Sequence, residues 1–244
     1  MNNVLPDLVL RRRQHQVWTH SGIDSPEHCV DLDHFLAYPW PIEYRYNSRG
    51  FRDAEWPDSV QDLLQAVWCL GDSFTAGIGV PIEHTWFQCL ERQLAQRCIN
   101  ISLDGASNDW IARRGSEILN TVQPRAMVVH WSYVERRELD NAEADEERRH
   151  QSVYFSELEN VENLRSNIAR LEATATANST RLIHSVIPGF SQYPATQKMI
   201  FDHLVPTERR VEYFAVQDWA RDHHHYDIKT ARAFATKILD LLTL

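Results

Sequence analysis

The sequence has no apolar run near the roughly 20 residues that a membrane-spanning helix requires. Its N-terminus also lacks the basic-then-apolar order of a secretion signal. We therefore expect a chain without a membrane span that stays in the cytoplasm. With 244 residues, of which 43% are hydrophobic and 24% charged, the chain is long enough for one large core and gives no sign of disorder.

Cysteine is scarce, and its spacing excludes the usual metal and redox motifs. The sequence has four cysteines and no Cys-x-x-Cys pair. Cys69 and Cys89 fall within apolar patterns, so we expect reduced thiols in the core rather than a disulfide framework. The consecutive histidines 223–225 come without a His-x-x-x-His pair, and adjacent side chains rarely converge on one ion. The sequence thus predicts no metal and no other cofactor.

Basic residues are too few for a surface that binds nucleic acid. The chain has 25 Lys and Arg against 34 Asp and Glu, which gives a formal net charge of −9. This balance argues against nucleic acid and against an anionic membrane as partners, because both need a basic face. The short run Arg11-Arg12-Arg13 is expected to be a solvated patch.

The chain does have an apolar segment that stops abruptly at Gly71-Asp72-Ser73. Residues 66–70 are apolar and are followed by glycine, as in a buried strand of a covered parallel sheet. Such a strand would deliver Ser73 to a loop, which makes it the first candidate for a nucleophile. The structural alternative for Ser73 is a helix or turn cap, and Asp72 is expected to fix the turn through hydrogen bonds to the backbone.

A serine hydroxyl is a poor nucleophile unless a general base and an orienting carboxylate lie within reach. The C-terminal region offers both, because Asp222 precedes His225 by three residues on one predicted loop. The apolar positions of residues 228–242 predict an amphipathic last helix directly after this loop.

Together the two segments resemble the SGNH (GDSL-type) hydrolase superfamily, in which Gly-Asp-Ser stands near the N-terminal side and Asp-x-x-His closes the chain. The matching residues are Gly71-Asp72-Ser73 and Asp222-x-x-His225. The resemblance implies an α/β protein, a three-layer α/β/α sandwich with a mostly parallel, flavodoxin-like sheet. It also implies hydrolysis of small-molecule, carbohydrate or lipid O-acyl esters through an acyl-serine. The matched spacing selects His225 as the base over His223 and His224.

Two further stretches extend the resemblance to most of residues 46–240. Residues 46–53 look like the Asn-x-x-Gly-Phe-Arg lead-in that precedes the first strand in many relatives. Residues 100–108 look like the second block, whose glycine offers a backbone donor. On this likeness the oxyanion of the reaction would be held by the backbone N–H groups of Ser73 and Gly105.

The third block of the family, usually Gly-x-Asn-Asp after the third strand, is not in its place. That strand runs instead into Ser132 and Tyr133, and the Asn-Asp pair of this chain starts at Asn108 in the second block. Asn108 is expected either to lend the missing oxyanion amide or to be a decoy. The loss of one such donor costs roughly 100- to 1000-fold in turnover in a well-studied protease.

Strand and helix patterns alternate through the rest of the chain. The predicted strands are 66–70, 98–103, 126–131 and 181–187, and the predicted helices between them are 86–97, 110–122 and 157–175. Such alternation implies right-handed crossovers and a parallel sheet, and it brings Ser73, Gly105 and residues 132–133 to the carboxyl edge of that sheet. Residues 1–45 are predicted to be an irregular lead-in packed on a domain of residues 46–244.

Two segments interrupt the alternation. Residues 140–151 are dense in charges of both signs and are predicted to be a solvated helix face rather than a pocket wall or lid. Residues 188–206 are either a pocket wall or a plain surface loop. Arg136 and Arg137 could meet an anionic substrate, although exposed arginines usually meet water and carboxylates. The aromatic residues that could line a pocket for a sugar, or belong to the core, are Trp131, Tyr133, Phe190 and Tyr193.

Three functions agree with these patterns. The first is an esterase or deacetylase with a small-molecule acyl ester as substrate. The second is an acyltransferase that uses the same serine, and the third is a binding module that kept the fold after catalysis decayed. The first two predict a covalent adduct on the serine, whereas the third predicts ligand affinity without turnover.

Overall fold

The structure of the chain is a computed structural model, and it describes residues 8–138, 155–187, 202–212 and 215–243. The predicted charged helix face at 140–151 lies outside the described residues, as do Phe190, Tyr193 and most of the predicted loop 188–206.

The predicted strands and helices that can be compared are present, with ends shifted by a few residues. The strands include β1 (Val17–Trp18), β2 (Tyr44–Arg45), β3 (Val67–Gly71), β4 (Cys98–Ser102), β5 (Ala126–Trp131) and β6 (Arg181–Val186). The helices include α1 (Leu32–Ala37), α2 (Val60–Gln65), α3 (Ser73–Ala76), α4 (Trp86–Leu94), α5 (Asn108–Thr121), α6 (Glu157–Ala177) and α7 (Ile228–Thr243), with 3-10 turns at Ile82–His84 and Thr207–Arg209.

A sheet of four parallel strands forms the centre of the fold. β3 pairs with β4 on one side and with β5 on the other, and β6 pairs with β5, so that the spatial order is β4-β3-β5-β6. This is the flavodoxin-like order, in which the first strand of the sheet lies between the second and the third. Open sheets of this kind bind ligands beyond the carboxyl ends of the strands, where the connections change direction beside β3.

Side chains alternate along each strand between two apolar layers. Trp68 of β3 faces one layer, which it shares with α5 and α6 through residues such as Leu171. Its neighbour Cys69 faces the opposite layer, with Phe87 of α4 and Phe234 of α7. Because helices cover both faces of a parallel sheet, the protein is a three-layer α/β/α sandwich, which confirms the predicted fold class.

Local capping explains where the helix ends differ from the prediction. α5 begins at Asn108, before the predicted start at residue 110, because the Ser107 hydroxyl accepts the Trp110 N–H at 3.1 Å. α4 ends at Leu94, before the predicted end at residue 97, because Ala95 adopts a left-handed conformation with a φ of 51°. Asn108, one of the residues that the sequence suggested for the site, is therefore the first residue of α5.

The N-terminal segment packs on the sandwich through short regular elements. β1 and β2 form an antiparallel pair, and Leu8 and Leu10 belong to the same buried cluster as Phe51 and Trp68. The segment is therefore more regular than its sequence predicted. The division of the chain at residue 45 stays a prediction.

All four cysteines are free thiols, and Cys69, Cys89 and Cys98 are buried. This confirms the expected core thiols at Cys69 and Cys89. None of the helices in the described part of the chain has the length and apolar content that a membrane crossing requires.

Candidate active site

The turn after β3 presents Ser73 at the carboxyl edge of the sheet. Asp72 caps the short helix α3, because its Oδ1 accepts the Phe74 N–H at 3.0 Å. Ser73 is the first residue of this helix and not its cap. Its hydroxyl is therefore not needed to cap the helix and can bond to another side chain. The expected structural role of Asp72 is confirmed.

His225 is the partner of the Ser73 hydroxyl. The Nε2 atom of His225 lies 2.8 Å from Ser73 Oγ, and its Nδ1 atom lies 2.6 Å from Asp222 Oδ2. The other oxygen of Asp222 accepts the backbone N–H groups of His224 and His225 at 2.9 and 3.0 Å, which holds the loop in shape. The structure thus joins Ser73, His225 and Asp222 in one buried chain of hydrogen bonds.

Burial and charge act in opposite directions on this pair. Burial lowers the pKa of His225, but the charge of Asp222 and its hydrogen bond outweigh this effect and leave the pKa above the ordinary 6.5. Burial raises the pKa of Asp222, and the charge of His225 with the loop hydrogen bonds lowers it by more, to below its ordinary value. The arrangement therefore keeps the carboxylate ionised and stabilises a protonated imidazole.

The two neighbouring histidines have other contacts. His223 stacks on His34 with 4.5 Å between the ring centroids. His224 Nε2 lies 3.5 Å from the Tyr133 hydroxyl, and burial together with the charge of His225 lowers the pKa of His224 to about 4. Neither ring is hydrogen-bonded to the serine hydroxyl, so the geometry favours His225 over the two alternative bases. In the part of the chain that the structure describes, no group of histidine, cysteine and acidic side chains could hold a metal ion.

Two backbone N–H groups at the same edge are candidates for oxyanion donors. Ser73 lies at the N-terminus of α3, where helical N–H groups have no partner in the helix. Gly105 lies in a turn closed by a 2.8 Å bond from the Ala106 N–H to the Leu103 carbonyl, and its φ of 77° is one that glycine adopts without strain. Among the described residues, neither the Ser73 nor the Gly105 N–H is bonded to a protein acceptor.

The side chain of Asn108 does not join these donors. Its Nδ2 atom donates to the carbonyls of Ser132 and Tyr133 at 3.3 and 3.0 Å, and its Oδ1 atom accepts the Ser132 N–H at 2.9 Å. Both amide hydrogens are therefore committed to the loop after β5. The geometry does not support the predicted oxyanion role of Asn108 and favours the alternative that its Asn-Asp pair is a decoy.

The loop that replaces the usual third block brings a charge to the site. Arg136 Nη1 donates to Asp72 Oδ2 at 2.9 Å and to Ser132 Oγ at 3.0 Å, while Ser132 Oγ donates to the same carboxylate oxygen at 2.6 Å. The side chain of Arg136 stays 14% exposed, at the wall of the pocket described next. Arg136 thus pairs with a carboxylate, one of the two partners that the sequence analysis expected for it. The pair holds the side chain of Asp72, the residue next to Ser73.

Ser73 and His225 open onto a pocket of about 660 Å³. The other described residues that line it are Ile23, His28, Val30, Asp104, Gly105, Tyr133, Glu135, Arg136 and His224. Tyr133 is thus a pocket residue, whereas Trp131 is fully buried and donates its indole N–H to His184 at 3.0 Å. Three of the lining residues come from the N-terminal segment, which the sequence did not associate with the site.

The sequence also did not reveal the residue that holds the turn after Ser73 by hydrogen bonds. Arg52 of the Asn-x-x-Gly-Phe-Arg stretch is buried, and its guanidinium donates to the carbonyls of Ala76 at 3.1 Å and Val80 at 2.8 Å and to that of Gly77. These carbonyls belong to the last residue of the helix that starts at Ser73 and to the loop that follows it. The spacing of the motif marks this stretch in the sequence. The hydrogen-bond partners of Arg52 can be identified only from the structure.

No protein-family model and no curated protein matches the sequence of this chain. Solved structures do resemble it. TesA has a TM-score of 0.55 at 16% identity, over 73% of this chain and 98% of that chain. A carbohydrate esterase family 2 enzyme from Corynascus thermopiles (Myceliophthora fergusii) has 0.52 at 12% identity, over 79% and 69% of the two chains.

A third structure is that of a carbohydrate esterase whose active site is described as having divergent catalytic and non-catalytic binding functions. Its TM-score is 0.53 at 11% identity, over 78% of this chain and 67% of that chain. At such identities the likeness concerns the fold, and the chemistry has to be argued from the residues of this chain.

Proposed function

We propose that this chain, whose fold is that of the SGNH/GDSL-type hydrolases, is a serine hydrolase that cleaves small-molecule O-acyl esters. The observation that carries the proposal is the hydrogen-bonded chain from Asp222 through His225 to Ser73 at the wall of a pocket. A serine bonded to an imidazole that a buried carboxylate orients is the arrangement that activates a hydroxyl for attack. The likeness to carbohydrate esterases makes short acyl esters of hydroxylated molecules the first substrates to test.

In the first half of the reaction, Ser73 Oγ attacks the acyl carbonyl while His225 Nε2 takes the hydroxyl proton. The negative charge that forms on the carbonyl oxygen is stabilised by the backbone N–H groups of Ser73 and Gly105. The bond to the leaving alcohol then breaks, and His225 returns the proton to that alcohol. Asp222 holds the imidazole in the required tautomer and stabilises its charged form.

In the second half, water replaces the alcohol. His225 takes a proton from the water, which attacks the acyl-serine, and the same N–H groups stabilise the second oxyanion. The carboxylic acid leaves as Ser73 regains its proton from His225. An alcohol that enters in place of water would make the same site an acyltransferase, and added acceptor alcohols in product analysis distinguish the two outcomes.

The proposal is tested by treating the protein with a fluorophosphonate and measuring its intact mass, followed by peptide mapping. We expect one adduct per chain, on Ser73, because activation depends on the bond to His225. An adduct on another serine, or no adduct where a known serine esterase is fully labelled, would contradict the proposal. Ligand binding without an adduct would identify a binding protein instead.

The pH dependence of kcat/KM follows from the raised pKa of His225. The base must be neutral to accept the serine proton, so activity is lost as pH falls through this pKa. Because the Asp222 carboxylate leaves the pKa of His225 above 6.5, we expect the acid limb of the profile to have an apparent pKa above 6.5. Rates of p-nitrophenyl ester hydrolysis between about pH 5 and 8 measure it, and a flat profile would exclude a histidine base.

A further inference from the structure

A buried cluster from the N-terminal segment lies between the loop that carries Asp222 and His225 and the loop that directly follows the helix of Ser73, which we call the acid–base loop and the nucleophile loop. We infer that Asp24 and Tyr44 are positioning residues, which with Arg221 form a bridge that sets the separation of the nucleophile loop (Gly77–Val80) from the acid–base loop (220–225). This inference rests on the proposed function, and it assigns part of the active site to the segment that the sequence presented as a lead-in.

Asp24 is the centre of the bridge. It is fully buried, and Arg221 donates Nε to its Oδ1 at 2.8 Å and Nη2 to its Oδ2 at 2.5 Å. Such a two-point pair fixes direction as well as distance. Arg221 directly precedes Asp222, so the carboxylate of Asp24 holds the acid–base loop at the residue next to the one that orients His225.

Tyr44 connects Asp24 to the other loop. Its hydroxyl donates to Asp24 Oδ2 and accepts the Gly79 N–H at 2.8 Å. Burial raises the pKa of Tyr44 well above 10, which keeps the hydroxyl protonated and able to serve both partners. One hydroxyl group thus contacts the nucleophile loop and the carboxylate that holds the acid–base loop.

The two loops also meet directly, with no spare room. The Arg221 N–H donates to the Gly79 carbonyl at 3.0 Å. A Cβ atom at Gly79, where φ is 79°, would lie 2.8 Å from Ala220 Cβ and 3.1 Å from Asp222 Cγ. A shift of one loop against the other would therefore alter the 2.8 Å approach of His225 to Ser73, and a misplacement of about 1 Å at a reacting group can cost about 100-fold in rate.

The decisive comparison is Tyr44→Phe against Tyr46→Phe. Tyr44→Phe removes the bridging hydroxyl and keeps the ring, which lies 4.3 Å from the Arg52 guanidinium carbon. The Tyr46 hydroxyl belongs to the same N-terminal cluster, but its partners, at 3.5 Å, are Arg13 and Ser21. We expect kcat per fluorophosphonate-labelled site to fall about 10- to 100-fold in Tyr44→Phe with KM unchanged, and to stay at the wild-type value in Tyr46→Phe.

Asp24→Asn against Asp53→Asn repeats the test on the carboxylate. Asp53 is also buried and ion-paired, 2.7 Å from Arg97, but it holds the Asn100 N–H of β4. A purely structural role of the bridge would lower the labelled fraction in Asp24→Asn and leave the kcat of each labelled site unchanged. If Asp24→Asn does not fold, the Tyr44→Phe comparison decides.

Amide hydrogen exchange gives a reading that does not depend on activity. The Arg221 amide bonds to Gly79 and not to Tyr44, so faster exchange of this amide in Tyr44→Phe, but not in Tyr46→Phe, reports loosened loops. Wild-type kcat per site in Tyr44→Phe, or unchanged exchange of Arg221, would overturn the inference. A wild-type protein that does not react with the fluorophosphonate would instead overturn the proposed function. The exchange rate of the Arg221 amide would then be the remaining test of the bridge.

Discussion

Replacing Ser73 by alanine is expected to lower kcat for ester hydrolysis by about a millionfold while the protein stays folded. The size follows from losses seen when the nucleophile is removed from a serine protease, where the oxyanion donors and substrate binding supply the residual rate. The fold should survive because Asp72, not Ser73, caps α3. Among the described residues, the Ser73 hydroxyl is bonded to His225 alone. Release of p-nitrophenol, with circular dichroism on the same samples, measures both parts.

Ser185→Ala is the matched control for this substitution. The Ser185 hydroxyl lies 2.7 Å from His130 Nδ1, so the chain holds a second buried serine–histidine pair away from the pocket. Burial lowers the pKa of His130 to about 3, and among the described residues no carboxylate is hydrogen-bonded to its ring. We expect Ser185→Ala to cost about 1–3 kcal/mol of stability and to leave kcat unchanged. Equal activity of Ser73→Ala and wild type would remove Ser73 from the mechanism.

Replacing His225 by asparagine is expected to cost about as much as the loss of the nucleophile, since the two residues act as a unit. The reason is that proton transfer from Ser73 passes through Nε2 of this one ring, 2.8 Å away. We expect the rate of fluorophosphonate labelling to fall together with kcat, because both depend on an activated hydroxyl.

His223→Asn tests whether position or mere histidine content matters. His223 has a φ of 56°, a left-handed conformation that asparagine tolerates better than most residues. Its ring stacks on His34 and takes no part in the bond to the serine. We expect near-wild-type kcat and labelling, with thermal unfolding as the check that both variants fold. Similar losses in the two variants would mean that the base has been assigned to the wrong residue.

The fold was accessible from the sequence because its signals are local. Apolar runs such as 66–70 are buried on both faces of the sheet, and the helical periods between them are read within a few residues of chain. The ends were less predictable, since capping decides them: the Ser107 side chain starts α5 at Asn108. The side chain of Asn108, the predicted amide donor, is hydrogen-bonded to the loop after β5, which no local pattern indicated.

The candidate site was accessible in part. Gly71-Asp72-Ser73 and Asp222-x-x-His225 are short motifs, and parallel topology implies that strand ends meet at one edge. The role of Arg52 could not be predicted from the sequence. Its guanidinium donates to backbone carbonyls, which every residue type carries, so the sequence of its partners gives no signal.

The sequence by itself determined the layers of this protein and the residue types of its proposed chemistry, since period, composition and motif spacing belong to contiguous chain. Tertiary structure alone decided which residues from distant segments pair and so fix the distances between those groups. Asp24 and Arg221 are 197 positions apart, in segments without periodic signal, yet they pair in the buried bridge beside Asp222. Removing such charges from water is costly, and only the folded chain offsets that cost by supplying each charge with its partner.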